Sequence, residues 1–151
     1  MLSSPSMLKR AFILTILAIS VTVGVQGQKA PAADPAAVKA TAAYAEVLLR
    51  RTDIQADLLA FGQDYTDTNP KILDLKVELA SLDRSTERLL AAKPTQIERL
   101  TSALGKMMVR KAALDAELAH VERSYAKEHP EVKRAQKRAE LFDSAINEVL
   151  K

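Results

Sequence analysis

Cysteine and tryptophan are absent from this chain, glycine occurs four times, and aromatic residues make up 4% of it. Without cysteine there is no disulfide, no lipidated cysteine and no thiolate nucleophile or metal ligand. Gly62 and Gly105 stand alone, so no glycine-rich loop exists to cradle a phosphate. The few aromatics give no platform for stacked bases, and the pattern shows no clustered basic face to neutralise phosphates. Nucleic acid is therefore not an expected partner. Two histidines in helical segments supply no Ser-His-Asp arrangement. The expectation is a chain that is not an enzyme and that carries no cofactor and no metal.

The N-terminus reads as an export signal over residues 1–27. Lys9 and Arg10 form a positive region, Ala11 to Val25 is uncharged and apolar, and Gly27 is a small residue suited to cleavage before Gln28. The rival reading is an uncleaved anchor, although the apolar stretch is shorter than the ~20 residues that span a bilayer comfortably. Cleavage removes two cations and no acid, which leaves 20 cations against 19 acids, a net charge of +1 instead of +3. The expected location is periplasmic or secreted, with membrane contact only if the segment stays attached. Residues 28–37 (QKAPAADPAA) are expected to form a mobile Pro/Ala-rich linker.

What the chain has in abundance is aliphatic side chains at helical spacing. Ala37, Ala40, Tyr44, Val47, Arg51, Ile54, Leu58, Phe61 and Tyr65 alternate steps of three and four. So do Ile97, Leu100, Leu104, Met107, Lys111, Leu114, Leu118, Val121 and Tyr125, each sixty positions after its counterpart. That spacing puts each set on one narrow stripe of a helix. A proline follows each tyrosine by five residues, at Pro70 and Pro130, and the pattern then resumes. Ile72, Leu75, Leu79, Leu82, Thr86 and Leu89 form one returning stripe; Val132, Ala135, Ala139, Phe142, Ile146 and Val149 form its copy. A proline disfavours helix at the residue before it and fits the first helical position, so the turns fall there, with Asn69 and His129 as N-caps.

Only seven of 48 aligned positions are identical between the copies, so it is the shared register that indicates duplication. The expected fold is all-α: two tandem antiparallel helical hairpins, residues 38–92 and 95–151, as a four-helix bundle or an extended coiled coil. The first helix is expected to run unbroken from the Asp34-Pro35 cap, and the third to start at a Thr95/Glu98 capping box. Folding each pair at its proline brings Arg51 near Asp83 and Lys111 near Asp143, and these ion pairs are expected to fix hairpin register. Tyr65 and Tyr125 are expected to pack on the hairpin tips. Apolar positions off the stripes (Leu48, Leu49, Leu59, Leu73, Leu90, Met108 and Val109) leave a second face to be covered.

Glu117 and His120 stand at i, i+3, half of a two-metal helical pattern. The first copy has Asp57 and Ala60 there, so the second half is missing.

The strings YTDTNPKILDLKVELASL from Tyr65 and YAKEHPEVKRAQKRAELF from Tyr125 resemble the helical hairpins of polysaccharide chain-length determinant and related exopolysaccharide export proteins. In those a helix ends in Tyr, polar residues lead to His-Pro, and Val or Ile opens the return. The second copy matches at Tyr125, His129, Pro130 and Val132, while the first has Asn69 in place of the histidine. The resemblance covers the hairpins alone and implies an extended helical hairpin outside the cytoplasmic membrane. Taken together, the expectation is a non-enzymatic scaffold or interaction module of the cell envelope, associated with itself or with another envelope protein. The alternative is a small periplasmic helical-hairpin chaperone or metal-responsive sensor.

Overall fold

The computed structural model describes residues 32–151; the expected signal over residues 1–27 lies outside them. The described residues contain helices and no strand, so the chain is all-α. The elements are α1 (Pro35–Lys39), α2 (Ala42–Asp64), α3 (Pro70–Leu90), a 3₁₀ segment (Pro94–Arg99), α4 (Ser102–Ser124) and α5 (Pro130–Val149). No helix among the described residues is long and apolar enough to cross a membrane.

The sixty-residue offset holds at the level of structure. α2 and α4 are both 23 residues long and start sixty positions apart. Each ends at a tyrosine in extended conformation whose N–H returns to the helix, Tyr65 to the Phe61 carbonyl and Tyr125 to the Val121 carbonyl, both at 2.9 Å. Both returning helices begin at proline, where the cap side chain accepts the N–H two residues on: Asn69 from Lys71 at 2.9 Å and His129 from Glu131 at 3.2 Å. The short lead-in helices, α1 and the 3₁₀ segment, are also counterparts.

The starts of the long helices correct the sequence reading. The first helix is not continuous from Pro35. It stops at Lys39, and α2 is started anew by Thr41, whose hydroxyl donates to the Val38 carbonyl (2.7 Å) and accepts the Tyr44 N–H (3.3 Å). Its counterpart Thr101 caps α4 by accepting the Leu104 N–H. The expected Thr95/Glu98 box does not form, because the Gln96 side chain accepts the Lys93 N–H at 2.7 Å and the segment closes as a 3₁₀ turn. Pro94 lies just before Thr95, so this proline, rather than the threonine, opens the turn. The expected mobile linker is also corrected where the structure describes it. Ala33 is buried with its N–H on the Ala92 carbonyl at 2.7 Å, and Val38, just past the expected linker, is fully buried.

Each hairpin folds as expected, α2 against α3 and α4 against α5. The core follows the predicted stripes: Val47, Ile54, Leu82, Leu89, Leu104, Leu114 and Val132 are among the most buried side chains. The helices alternate in direction, yet they do not close into a square with α5 returned to α2. Instead α4 packs along α2, parallel and in register, as well as on α3 and α5. Gly105 makes this possible. A Cβ there would lie 2.7 Å from the Cβ of Glu46 and 2.8 Å from the Ala43 carbonyl oxygen, so only glycine allows the two backbones to approach. The Ala43 N–H bonds the Leu100 carbonyl (3.1 Å) and the Ser102 hydroxyl meets Glu46 (2.6 Å), tying the same ends together. The hairpins are therefore stacked as successive repeats, each packed on its neighbour, as in helical solenoids.

Candidate docking surface

Stacking divides the off-stripe apolar residues into two groups. On α4 the positions Ser102, Gly105, Val109, Ala112, Ala116 and Ala119 alternate steps of three and four, and the first hairpin covers them. Gly105, Ala112 and Ala116 are buried and the other three half-buried. The counterparts on α2 are Ala42, Ala45, Leu49, Thr52, Ala56 and Leu59. These have the same spacing, carry no charge, and are all exposed, Leu49 at 62% and Leu59 at 73%. Thr52 returns its hydroxyl to the Leu48 carbonyl at 3.0 Å, so it adds little polarity to the stripe. Each leucine left in water forgoes roughly 1.5–3 kcal/mol of burial. Where the sequence reading asked for a covered second face, the structure covers Met108 and Val109 and leaves Leu48, Leu49 and Leu59 in solvent.

Beside this stripe runs a groove of about 390 Å³ between α2 and α4, lined by Glu46, Leu49, Asp53, Lys106, Arg110 and neighbouring residues. Arg50 closes its inner wall through Glu78 at 2.8 Å. Glu78 is one of two buried polar residues among the described residues, and its hydrogen bond and charge hold the Arg50 guanidinium above its ordinary range. The groove is open and its charges are of mixed sign, with Arg50 paired to Glu78.

The expected register residues fare unequally. Arg51 meets Asp83 at 2.6 Å, with its Nε buried and without a hydrogen-bond partner in the protein. Lys111 does not pair with Asp143, although both border the same grooves. Lys111 binds Asp115, one turn along its own helix, at 2.7–2.8 Å, and Asp143 takes Arg88 from α3 at 3.3 Å. A difference between the copies one turn further on accounts for this. The residue four positions after Arg51 is Gln55, which is neutral, so Arg51 has to cross to α3; the residue four positions after Lys111 is Asp115. Asp115 also accepts the hydroxyl of buried Ser81 at 2.6 Å.

At the tips, Tyr65 lies 5.9 Å from Phe61, tilted, and Tyr125 stacks on His129 at 4.2 Å with the rings 19° apart. Both tyrosines are about half exposed. His129 is thus a cap and a stacking partner at once, which compensates for its weak capping preference. Beside the first turn Lys76 binds Asp67 at 2.7 Å, which holds that exposed carboxyl below its ordinary range. His120 does not face Glu117, which pairs with Arg138; it faces Asp74 at 3.1 Å, with Arg123 on the same carboxylate. Among the described residues no three His, Asp or Glu side chains converge as metal ligands would.

One surface feature corrects the expectation of no clustered basic face. Lys133, Arg134, Lys137 and Arg138 are all exposed on α5, with Arg134 on Glu131 and Arg138 on Glu117. The string KRAQKR carries the signal, and the near-neutral total charge conceals it.

No family model matches the chain, and no curated protein or solved structure gives a match.

Proposed function

We propose that this protein is an exported, non-enzymatic helical scaffold of the cell envelope that works by holding protein surfaces together. The observation that carries the reading is the uncharged stripe Ala42-Ala45-Leu49-Thr52-Ala56-Leu59. It is built like a helix-packing seam and left in solvent. Export is proposed on the Lys9-Arg10 and Ala11 to Val25 pattern, and polysaccharide export as the setting on the Tyr125 to Pro130 turn motif.

The test is the size of the chain in envelope extracts from the cells that make it. The wild-type protein is expected in a complex larger than one chain, with its N-terminus at Gln28, and Leu49→Glu with Leu59→Glu is expected to release it as a single chain. A wild-type protein already running as one chain, unaffected by the two substitutions, contradicts the proposal.

A further inference from the structure

Every large hydrophobic side chain exposed among the described residues lies in one of three places. Leu48, Leu49 and Leu59 lie on the outer side of α2, Leu141 lies on α5, and Tyr65 and Tyr125 are at the tips. The leucines have telling counterparts. Leu48 corresponds to Met108 and Leu141 to Ser81, and these two are buried at the junction between the hairpins, where they border one groove. Two surfaces that meet inside the chain thus recur, uncovered, at its two ends. Repeats of this kind bury their faces only against a neighbouring repeat.

We propose that the α2 stripe receives a second copy of this chain, head to tail, the α4–α5 side of one molecule covering α2 of the next as α2–α3 covers α4 within a molecule. The proposal rests on the reading of that stripe as a docking surface and names its occupant. The internal junction supplies the pairing. Ser81 meets Asp115, so Leu141 comes to Gln55 of the partner subunit. Arg50 and Ala113 border one groove, so Arg110 comes opposite Asp53 of the partner subunit, cation to acid. Ala103 stands where Ala43 receives Gly105, and Ala45 stands for that glycine, so the backbones sit slightly further apart. Two pairings oppose the contact. Arg88 binds Asn147, and their counterparts are Glu148 and Glu87, both acids. Arg88 also binds Asp143, whose counterpart Asp83 of the partner subunit would face Glu148. An antiparallel α2–α2 pair is less favoured, because the stripe centres near Thr52 and would set Asp53 against its own copy. A head-to-tail contact does not close on itself, so it builds rows or rings.

The chain has no native cysteine, which makes disulfide trapping clean. Within one molecule, Ser81→Cys with Asp115→Cys is expected to form an intramolecular disulfide. Between molecules, full-length Gln55→Cys mixed with full-length Leu141→Cys is expected to give a disulfide-linked heterodimer well above the level given by Lys127→Cys, a collision control. Adding Glu148→Lys, which places a cation opposite Glu87, is expected to raise the yield severalfold. If Gln55→Cys alone gives the dimer, α2 pairs with α2 and the head-to-tail proposal falls. If the internal pair closes and the mixture does not link, self-docking is overturned, whereas the scaffold reading stands or falls separately on the envelope-extract measurement. If the internal pair fails to close, the junction itself is misassigned and the proposal falls with it.

Discussion

Two glycines inside helices have opposite tasks, and the difference is physical. A Cβ on Gly62 would meet nothing within 4 Å, while one on Gly105 would strike the backbone of Ala43. Gly62→Ala should therefore stabilise the fold by about 0.5–1 kcal/mol, the usual gain from removing a helix glycine. Gly105→Ala should lose about 1–2 kcal/mol, because overpacking against backbone outweighs that gain. Urea melts of the two variants check both signs. The chain shows Gly62 and Gly105 as equals; only the parallel approach of α2 and α4 separates them. The seam cations teach the same lesson. Arg51 and Lys111 were legible as equivalents with aspartates in reach, and Arg51 does meet Asp83. Lys111 departs from that pattern because Asp115, one turn away on the same helix, outcompetes an acid across a groove.

At the level of the elements, the turns were legible because proline acts locally. It fixes the first helical residue wherever it stands, so Tyr65 to Pro70 and Tyr125 to Pro130 fold as read. The starts of the long helices were less legible, since a threonine beside an unbroken apolar stripe gives no periodic signal. Thr41 and Thr101 are nevertheless sixty positions apart, a match that was available in the chain and that now explains why both long helices begin where they do. Thr41→Ala and Thr101→Ala should each cost about 1 kcal/mol. Thr41 should cost more, because its hydroxyl also holds the Val38 carbonyl. Thr95→Ala, at the start suggested by sequence, should leave the melting midpoint unchanged. Equal losses at all three positions would mean that α4 is started from Thr95 after all.

For the molecule as a whole, periodicity within helices said which faces are apolar but not which helix each face meets. The main stripes predicted the hairpin cores; the second stripe on α4 became intelligible only when α2 was found beside it. The same relation gives the exposed stripe on α2 its meaning, as the copy of a surface already buried once. The basic run on α5 was missed for a different reason, since a net charge near zero averages over a chain whose copies differ. Counterparts of Lys133, Arg134, Lys137 and Arg138 in the first hairpin are Leu73, Asp74, Val77 and Glu78. The two repeats therefore share a scaffold and present different surfaces.

The most direct test of stacked, head-to-tail docking is the mass in solution of two complementary variants, measured by sedimentation alone and mixed. Leu49→Glu with Leu59→Glu blocks the α2 side, and Leu141→Glu blocks the α5 side. Each is expected to be a single chain alone, and the mixture is expected to give a one-to-one dimer that grows no further. A mixture in which both variants remain single chains, or a variant that assembles alone as the wild type does, would contradict the account.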